Sequence, residues 1–301
     1  MIDNKKINEG ITLAILAAGL YAISAPFSKI LLAYMEPTLM AGFLYLGAGL
    51  GMVFLTFFRK MRVKDQVEAR LTKRELPFTI AMVLLDIIAP ICLLIGLSSS
   101  SAASASLLNN FEIVATALIA LGVFKEKISL RLWLGIIFIS LSCMILSFED
   151  FSSLKFSYGS LFVLLAAVCW GFENNCTRKI SSKDPLEIVL IKGIFSGLGS
   201  LIIGLVIGER VQNLWSVFAV LLLGFVAYGL SIYFYVYAQR YLGAARTSAY
   251  YAVAPFIATF LSLIIFKEMP GANYFLALAL MAIGAFVSSN DKPLFKKSKD
   301  I

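Results

Sequence analysis

Four ionisable side chains lie inside long apolar runs of this sequence: Asp86, Glu112, Glu173 and Lys192. A charged group among apolar residues loses its hydration, so it persists only with a charged partner, a hydrogen-bond network or a watery cavity. Ionisable residues in such places are functional candidates by default, because they bind substrates or carry protons. These four side chains are therefore the first candidates for a functional site.

Asp86 and Glu112 are expected to lie at the same depth. Asp86 precedes Leu97 by 11 residues and Glu112 follows Ser101 by 11, on the two sides of a short polar connection. At about 1.5 Å per helical residue, both carboxylates lie about 16 Å from that connection. Two neighbouring carboxylates do not readily ionise together, so the pair suits a site that exchanges a proton for a cationic substrate. The alternative is that one or both are protonated donors of structural hydrogen bonds.

The stretch WGFENNC, which begins at Trp170, is the most polar one within any apolar run. Successive residues of a helix point about 100° apart, so Glu173, Asn174 and Asn175 cannot all face one cavity. Glu173 and Lys192 both lie a few residues from the same end of their segments, where an ion pair would neutralise both. Two roles stay open for that pair: a structural ion pair and a substrate clamp.

Aromatic and proline residues complete the candidate set. Tyrosines deep in the apolar segments can line a cavity or stack on a cationic group, and packing is the alternative role of each. Prolines there are candidate hinges or helix breaks beside a site. The aromatic candidates, together with Trp170, are Tyr21, Tyr228 and Tyr251, and the hinge candidates are Pro26, Pro90 and Pro255.

Composition identifies the solvent in which these groups must work. Hydrophobic residues make up 60% of the 301 residues and charged residues only 15%, whereas a soluble domain carries about 25% charged residues. The mean hydropathy is +0.88. The sequence therefore predicts an all-α membrane protein of one membrane domain. With no histidine and no CxxC or CxxH spacing among its four cysteines, it argues against a zinc site or a triad hydrolase.

Ten apolar segments are long enough to cross a bilayer as helices, since a span needs about 20 mostly apolar residues. Several of the connections between them are very short, which makes neighbouring spans antiparallel. The predicted spans are residues 10–33, 37–58, 76–97, 101–123, 129–147, 157–177, 186–207, 213–237, 244–266 and 271–289.

Charge predicts the orientation of these spans. With ten spans, the connections alternate between two sides, and the side that holds both termini carries 21 of the 26 Lys and Arg residues. The opposite connections hold Lys155, Arg210 and Lys267. Cytoplasmic loops carry such an excess of basic residues, so both termini are expected in the cytoplasm and the protein in the inner (plasma) membrane. The same bias explains the net charge of +8 without nucleic acid.

The chain contains an internal repeat. Phe-Lys-Glu ends an apolar run at 124–126 and again at 266–268, and the second half shares a weaker pattern with the first, in which Tyr21 matches Trp170. We therefore expect two repeats, residues 1–150 with spans 1–5 and residues 151–301 with spans 6–10. Five is odd, so the repeats are inverted, related by a pseudo-two-fold axis in the membrane plane.

The stretches NNFEIVATALIALGVFKEK (109–127) and YYAVAPFIATFLSLIIFKE (250–268) resemble the drug/metabolite transporter superfamily in its ten-span, EamA-type form. YAQRYLGAARTSA (237–249) resembles that family's connection between spans 8 and 9. One departure concerns its frequent Glu-Pro pair: the first repeat has Glu112 followed by Ile113 and the second has Ala254 followed by Pro255. The resemblance implies a cavity lined by spans 1, 3, 4, 6, 8 and 9, with spans 5 and 10 at the periphery.

The resulting expectation is a secondary active transporter that works by alternating access. Its substrate would be a small amphipathic metabolite (an amino acid, an amine or a drug-like organic cation), with a proton as candidate coupling ion and lipid as the other partner. No ATP-binding GxxxxGK[ST] motif is present, and no cofactor, metal or nucleic acid is expected. Monomer or homodimer, and import or export, stay open. The alternatives are a passive channel or facilitator and a membrane-embedded lipid-modifying enzyme.

Overall fold

A computed structural model describes residues 4–62, 68–125, 128–150, 155–267 and 270–289. Within these residues the chain forms ten helical spans, numbered here in chain order. Spans 1–5 consist of α1 (Asn4–Ala22) and α2 (Ser24–Leu31) in span 1, α3 (Pro37–Arg62) in span 2, α4 (Leu76–Ser98) in span 3, α5 (Ala102–Leu108) and α6 (Phe111–Gly122) in span 4, and α7 (Leu130–Ser147) in span 5.

The second half repeats this order after a short antiparallel pair of strands, β1 (Phe148–Asp150) and β2 (Lys155–Phe156). Two of its spans contain a π-helical segment. Spans 6–10 consist of α8 (Tyr158–Ile180) in span 6, α9 (Pro185–Ile191), a π-helical segment (Lys192–Ser196) and α10 (Gly197–Val206) in span 7, α11 (Leu214–Leu223), a π-helical segment (Gly224–Leu230) and α12 (Ser231–Leu242) in span 8, α13 (Ala244–Tyr251) and α14 (Ala254–Phe266) in span 9, and α15 (Ala272–Ser289) in span 10.

The ten-span prediction is confirmed, with one polar exception to the simple hydropathy rule. Among the described residues, eight helical segments are long and apolar enough to cross a membrane, and Ala272–Ser288 is a shorter apolar helix. The remaining span, span 6 (α8), is long but carries the polar run Glu173–Asn175 in its second half. The largest differences in bounds are at span 1, whose helix begins at Asn4 instead of residue 10, and at span 8, whose helix continues to Leu242 instead of 237.

Several spans are interrupted near their middle. Span 1 breaks at Ile23 and span 9 breaks between Tyr251 and Ala254. Pro26 and Pro255 follow these breaks, as the sequence predicts, because each lacks the N–H that would bond back into the preceding turn. Pro90 is a correction: α4 runs through it without a break. There the missing N–H removes one helical bond without ending the helix.

The two repeats pack as an inverted pair, and equivalent contacts recur on both sides of the pseudo-two-fold axis. Span 3 packs on span 6 as span 8 packs on span 1, and span 5 packs directly on its own equivalent, span 10. Where spans 5 and 10 cross, a Cβ built on Gly135 would lie 2.9 Å from the carbonyl oxygen of Gly284, and one built on Gly284 would lie 3.0 Å from that of Gly135. This reciprocal contact places the two glycines on the axis.

The repeated Phe-Lys-Glu ends also match in backbone geometry. Lys125 and Lys267 each end a span in the left-handed region, with φ of 56° and 53°, a conformation that non-glycine residues seldom adopt. The same uncommon turn therefore closes span 4 and span 9 on opposite sides of the membrane. Glu126 and Glu268, the last residues of the two Phe-Lys-Glu stretches, lie outside the described residues.

Both ends of the helix bundle are tied by polar contacts. On the face that holds the termini, Arg240 of α12 donates to the carbonyl oxygens of Ser181 (2.9 Å) and Lys183 (2.6 Å) and pairs with Glu68 at 3.3 Å. On the opposite face, Lys29 Nζ donates to the carbonyl oxygen of Leu97 at 2.7 Å. The Arg240–Glu68 pair joins the two repeats on the termini-side face, and the Lys29 contact joins spans 1 and 3 of the first repeat on the opposite face.

A smaller cluster supports the termini-side face. Thr72 donates two hydrogen bonds of 2.7 Å to Glu75 Oε2, which hold the pKa of that carboxyl below its ordinary value. Glu75 therefore stays ionised in mildly acidic solution and pairs with Lys183 at 3.4 Å. This ion pair connects the beginning of span 3 to the turn between spans 6 and 7.

Candidate functional site

A cavity of about 50 Å³ lies between the two repeats. Spans 1–4 and 6–9 contribute side chains to it, and among the described residues spans 5 and 10 contribute none. The lining residues are Tyr21, Tyr45, Asp86, Glu112, Trp170, Glu173, Asn174, Lys192, Tyr228, Ile232, Tyr235 and Tyr251. Ligand sites for organic molecules enclose about 300–1,000 Å³, so this cavity has room for a few waters and must enlarge to admit a substrate.

Lys192 is the centre of the charged part of the cavity. Its Nζ lies 2.7 Å from Glu173 Oε1 and 3.2 Å from Asp86 Oδ2, so the predicted ion pair with Glu173 is present and a second carboxylate joins it. The three side chains are almost completely buried. Tyr45 donates a further hydrogen bond of 2.8 Å to Asp86 Oδ1, and Thr177 donates to Glu173 Oε1. The ammonium group is thus shared between span 3 and span 6.

The backbone around Lys192 explains how a lysine reaches this position. Lys192 begins a π-helical segment, a widened turn that is frequent at functional sites. The next residue, Gly193, packs so closely on span 2 that a Cβ there would lie 2.2 Å from the backbone nitrogen of Gly49. Only glycine permits this approach, which brings span 7 against span 2 and Lys192 close to the Tyr45–Asp86 pair.

Glu112 occupies a different part of the cavity and has a different kind of partner. It lies in the first turn of α6, where the positive end of the helix dipole favours a carboxylate. Its Oε1 accepts a hydrogen bond of 2.7 Å from Asn174 Nδ2. Among the described residues, no lysine or arginine forms an ion pair with Glu112. The cavity therefore contains three carboxyl groups and one ammonium group, and Glu112 is the carboxyl that the lysine does not neutralise.

Aromatic rings form the rest of the wall, with Tyr21 at their centre. Its ring lies 6.4 Å from that of Trp170, 5.7 Å from that of Tyr228 and 5.6 Å from that of Tyr251, measured between centroids. Tyr235 meets Tyr251 at 4.9 Å. Faces of aromatic rings attract cations, so a wall of this kind beside an unpaired carboxyl favours an organic cation as ligand.

Most predicted site residues meet at this cavity, but one does not. Asn175 points away from it and donates to the carbonyl oxygens of Thr116 (3.0 Å) and Gly171 (2.9 Å). It therefore fastens span 6 to span 4. The helix α8 continues regularly through Asn175.

Two predictions about the surroundings of the site need correction. Asp86 and Glu112 line one cavity as expected, but Asp86 pairs with Lys192 instead of sharing a proton-binding pair with Glu112. Spans 2 and 7 line the cavity through Tyr45 and Lys192, although the resemblance implied only spans 1, 3, 4, 6, 8 and 9. The reason is the glycine contact between spans 2 and 7, which brings both inward.

Sequence reasoning missed two lining residues that contact the polar groups. Tyr45 was overlooked because a single tyrosine in an apolar span is a common packing residue. Tyr235, whose hydroxyl lies 2.7 Å from Ser248 Oγ, was not among the aromatic candidates. The position of Tyr45 could have marked it as a candidate, because it lies eight residues into span 2, near mid-membrane depth.

Ten spans in two inverted repeats around a buried polar cavity are typical of secondary transporters. The fold and the site therefore define a multi-pass membrane transport protein. The chain belongs to the EamA-like transporter family, whose sequence pattern matches residues 8–148 and 157–290. The family is part of the drug/metabolite transporter superfamily, and the predicted resemblance is confirmed.

Two comparisons agree with this assignment. The chain is 27% identical over 286 residues to a protein of Methanothermobacter thermautotrophicus described as an uncharacterized transporter, and the match covers 89% of this chain and 82% of that protein. A protein of known crystal structure superimposes with a TM-score of 0.70 at 15% identity, over 93% of this chain and 95% of the other. At that identity the second likeness shows the fold alone.

Proposed function

We propose that the protein is a secondary active transporter of small amphipathic organic amines, which it exchanges for protons by alternating access. The observation that carries the proposal is Glu112, a partly buried carboxyl with no cationic partner among the described residues, placed beside a wall of aromatic rings. A substrate ammonium or a proton can each neutralise Glu112, and neutralisation by one excludes the other. Competition of this kind couples the movement of the two cations.

Lys192, Asp86 and Glu173 form a charged triad, and this triad narrows the substrate class that the sequence left open. An amino acid would need a cation for its carboxylate, but Lys192 already contacts Asp86 and Glu173. Removing either contact would leave a buried carboxylate unpaired, which is strongly destabilising. An amine needs no such cation and uses Glu112 alone. We therefore favour amines and other organic cations over zwitterions.

Alternating access is supported by the inverted repeats and by the two tied faces. The central cavity is too small for a substrate, while polar contacts close both surfaces of the helix bundle, through Arg240 on one side and Lys29 on the other. This is the arrangement expected of an occluded form between two open ones. The inverted repeats supply the two open forms as equivalent packings with exchanged roles.

We place the protein in the inner (plasma) membrane with both termini in the cytoplasm, on the basis of the basic connections. The two rival functions have less support. A membrane-embedded enzyme needs a nucleophile or a metal cluster, and among the described residues no group of three or more acidic or cysteine side chains is arranged to hold a metal. A passive facilitator does not need an uncompensated carboxyl at the centre of its pathway.

Transport in proteoliposomes tests the proposal. With a radiolabelled organic amine inside the vesicles, an inward proton gradient should accelerate efflux from wild-type vesicles at least about tenfold over vesicles without a gradient. Glu112→Gln keeps the acceptor oxygen for Asn174 but cannot ionise, so it should abolish the acceleration. Glu36→Gln, the same change at an exposed site, is the control and should behave like the wild type.

Three outcomes would contradict the proposal. Proton-driven transport that persists in Glu112→Gln removes its central residue. Non-saturable flux without exchange indicates a facilitator. Zwitterionic amino acids transported in strong preference to the matching amines contradict the substrate class.

A further inference from the structure

Span 4 is broken at two consecutive asparagines in the middle of the membrane. α5 ends at Leu108 and α6 begins at Phe111, with Asn109 and Asn110 between them. Around the break the backbone N–H groups bond three residues back instead of four: Asn110 to the carbonyl of Leu107 at 3.0 Å, and Glu112 to that of Asn109 at 3.0 Å. Such tightened turns within a helix often mark functional positions.

The two amide side chains are buried with atoms that lack protein partners. Asn109 is 6% exposed and Asn110 is 3% exposed. Within the described residues, neither Asn109 Oδ1 nor Asn110 Nδ2 forms a hydrogen bond. Nearly all buried polar atoms in proteins are hydrogen-bonded, so an acceptor and a donor side by side without partners indicate a group that binds from outside the protein.

Two small cavities next to the asparagines share lining residues with the central cavity. A cavity of about 20 Å³ is lined by Asn109, and one of about 10 Å³ is lined by both asparagines together with Glu112. Tyr21 borders these two cavities and the central one. The asparagines are thus adjacent to the proposed amine site, on the side that leads away from the termini along α5.

The equivalent break in the second repeat shows that the helix does not need asparagines here. Span 9 is interrupted at Ala252 and Val253, between α13 and α14, and there too an N–H bonds three residues back, from Phe256 to the carbonyl of Val253 at 3.2 Å. Two apolar residues are sufficient for the same backbone geometry. A purely structural role therefore does not account for the polar side chains of Asn109 and Asn110.

We propose that Asn109 and Asn110 form a second substrate subsite, which binds a neutral group that both donates and accepts hydrogen bonds. A primary carboxamide fits this chemistry: its N–H can bond to Asn109 Oδ1 and its carbonyl oxygen can accept from Asn110 Nδ2. The substrate class is then an amine that carries a carboxamide or a comparable polar group, with the ammonium at Glu112. This inference rests on the proposed function and adds the recognition of the other end of the substrate.

Binding of matched ligands to the purified full-length protein tests the subsite. The probes are straight-chain ω-amino amides of increasing length, each paired with the isosteric amine in which an isopropyl group replaces the carboxamide. A site built to hydrogen-bond a polar group strongly disfavours an analogue that lacks it. For the best-fitting length, the amide should bind at least about tenfold more tightly than its isostere, as measured by calorimetry.

Isosteric variants separate recognition from folding. Asn109→Leu and Asn110→Leu should each reduce the amide preference at least about threefold, and together they should abolish it, while the isosteric amine keeps its affinity. The melting temperature should stay or rise, because each change removes a buried polar atom without a partner. Val253→Leu, at the equivalent break of the second repeat, is the control and should keep the preference.

Each other outcome overturns the subsite. A wild-type protein that binds the isosteric amines through Glu112 but shows no amide preference at any length means that the asparagines hold water only, and the proposed function then stands without the subsite. An amide preference that survives both substitutions also refutes it. If neither ligand series binds, the proposed function fails, and the subsite fails with it.

Discussion

Removal of the Lys192 charge is expected to destabilise the folded protein strongly. Lys192→Met keeps most of the side-chain volume but leaves Asp86 and Glu173 buried without their cation. At the effective dielectric constant of about 20 that suits buried pairs, a contact of 2.7 Å is worth about 6 kcal/mol and one of 3.2 Å about 5 kcal/mol. Desolvation of the three groups offsets most of this attraction.

Buried ion pairs that lose one partner destabilise a protein by about 3–5 kcal/mol, and we expect the same net loss in the free energy of unfolding here. Denaturant unfolding in detergent, followed by tryptophan fluorescence at about pH 8, measures it. Glu112→Gln is the matched control: Glu112 has no cation to lose, so its neutralisation should change stability by less than about 1 kcal/mol.

A second variant separates the charge from the side chain itself. Lys192→Met combined with Asp86→Asn and Glu173→Gln leaves no buried charge in the triad, so it should recover most of the stability that the single variant loses. Two results would refute the reasoning: a single variant within about 0.5 kcal/mol of the wild type at about pH 8, or a triple variant less stable than the single one. Either would show that the triad does not stabilise the fold through charge pairing.

Three further predictions address the faces and the symmetry of the fold. Arg240→Ala removes contacts that close the termini-side face, so Cys176, kept as the single cysteine, should react with a maleimide several-fold faster than in the parent; an unchanged rate would mean that this face is sealed by other contacts. Gly135→Val overpacks the crossing of spans 5 and 10 and should lower stability by about 1–3 kcal/mol with ligand affinity unchanged, since no described residue of these spans lines the cavity; a change in affinity would contradict that separation. Cysteines introduced singly at Lys125 and Lys267 in a cysteine-free protein should be labelled by an impermeant reagent from opposite sides of the membrane, and labelling from one side would contradict the inversion.

Much of the fold follows from the sequence because a bilayer imposes simple rules. Length and hydropathy mark the spans, with bounds within a few residues except at the start of span 1 and the end of span 8. The polar run in α8 lowers the hydropathy of this helix below that of an ordinary membrane span. The alternation of basic connections nevertheless requires a span there. The repeated Phe-Lys-Glu ends indicate inversion, and the shared left-handed turns at Lys125 and Lys267 are its structural counterpart.

The ionisable residues of the site were predictable, whereas the ion pairs that they form were not. Each buried ionisable residue was identified from its apolar surroundings. Which carboxylate receives Lys192 depends on the rotation of each helix and on the widened turn at Lys192, neither of which leaves a periodic pattern. The break at Asn109 and Asn110 also lacked the glycine or proline that normally indicates one.

The sequence by itself determined that the chain crosses a membrane ten times in two inverted repeats, and that a few buried polar groups must find partners there. It could do so because hydration and burial act on each segment separately. Only the tertiary structure decided that Asp86 joins Glu173 at Lys192, that Tyr45 supports them and Asn175 turns away, and that Glu112 is left without a cation. Those choices depend on distances of about 3 Å between side chains from different spans, and such distances are set by how the helices pack against one another.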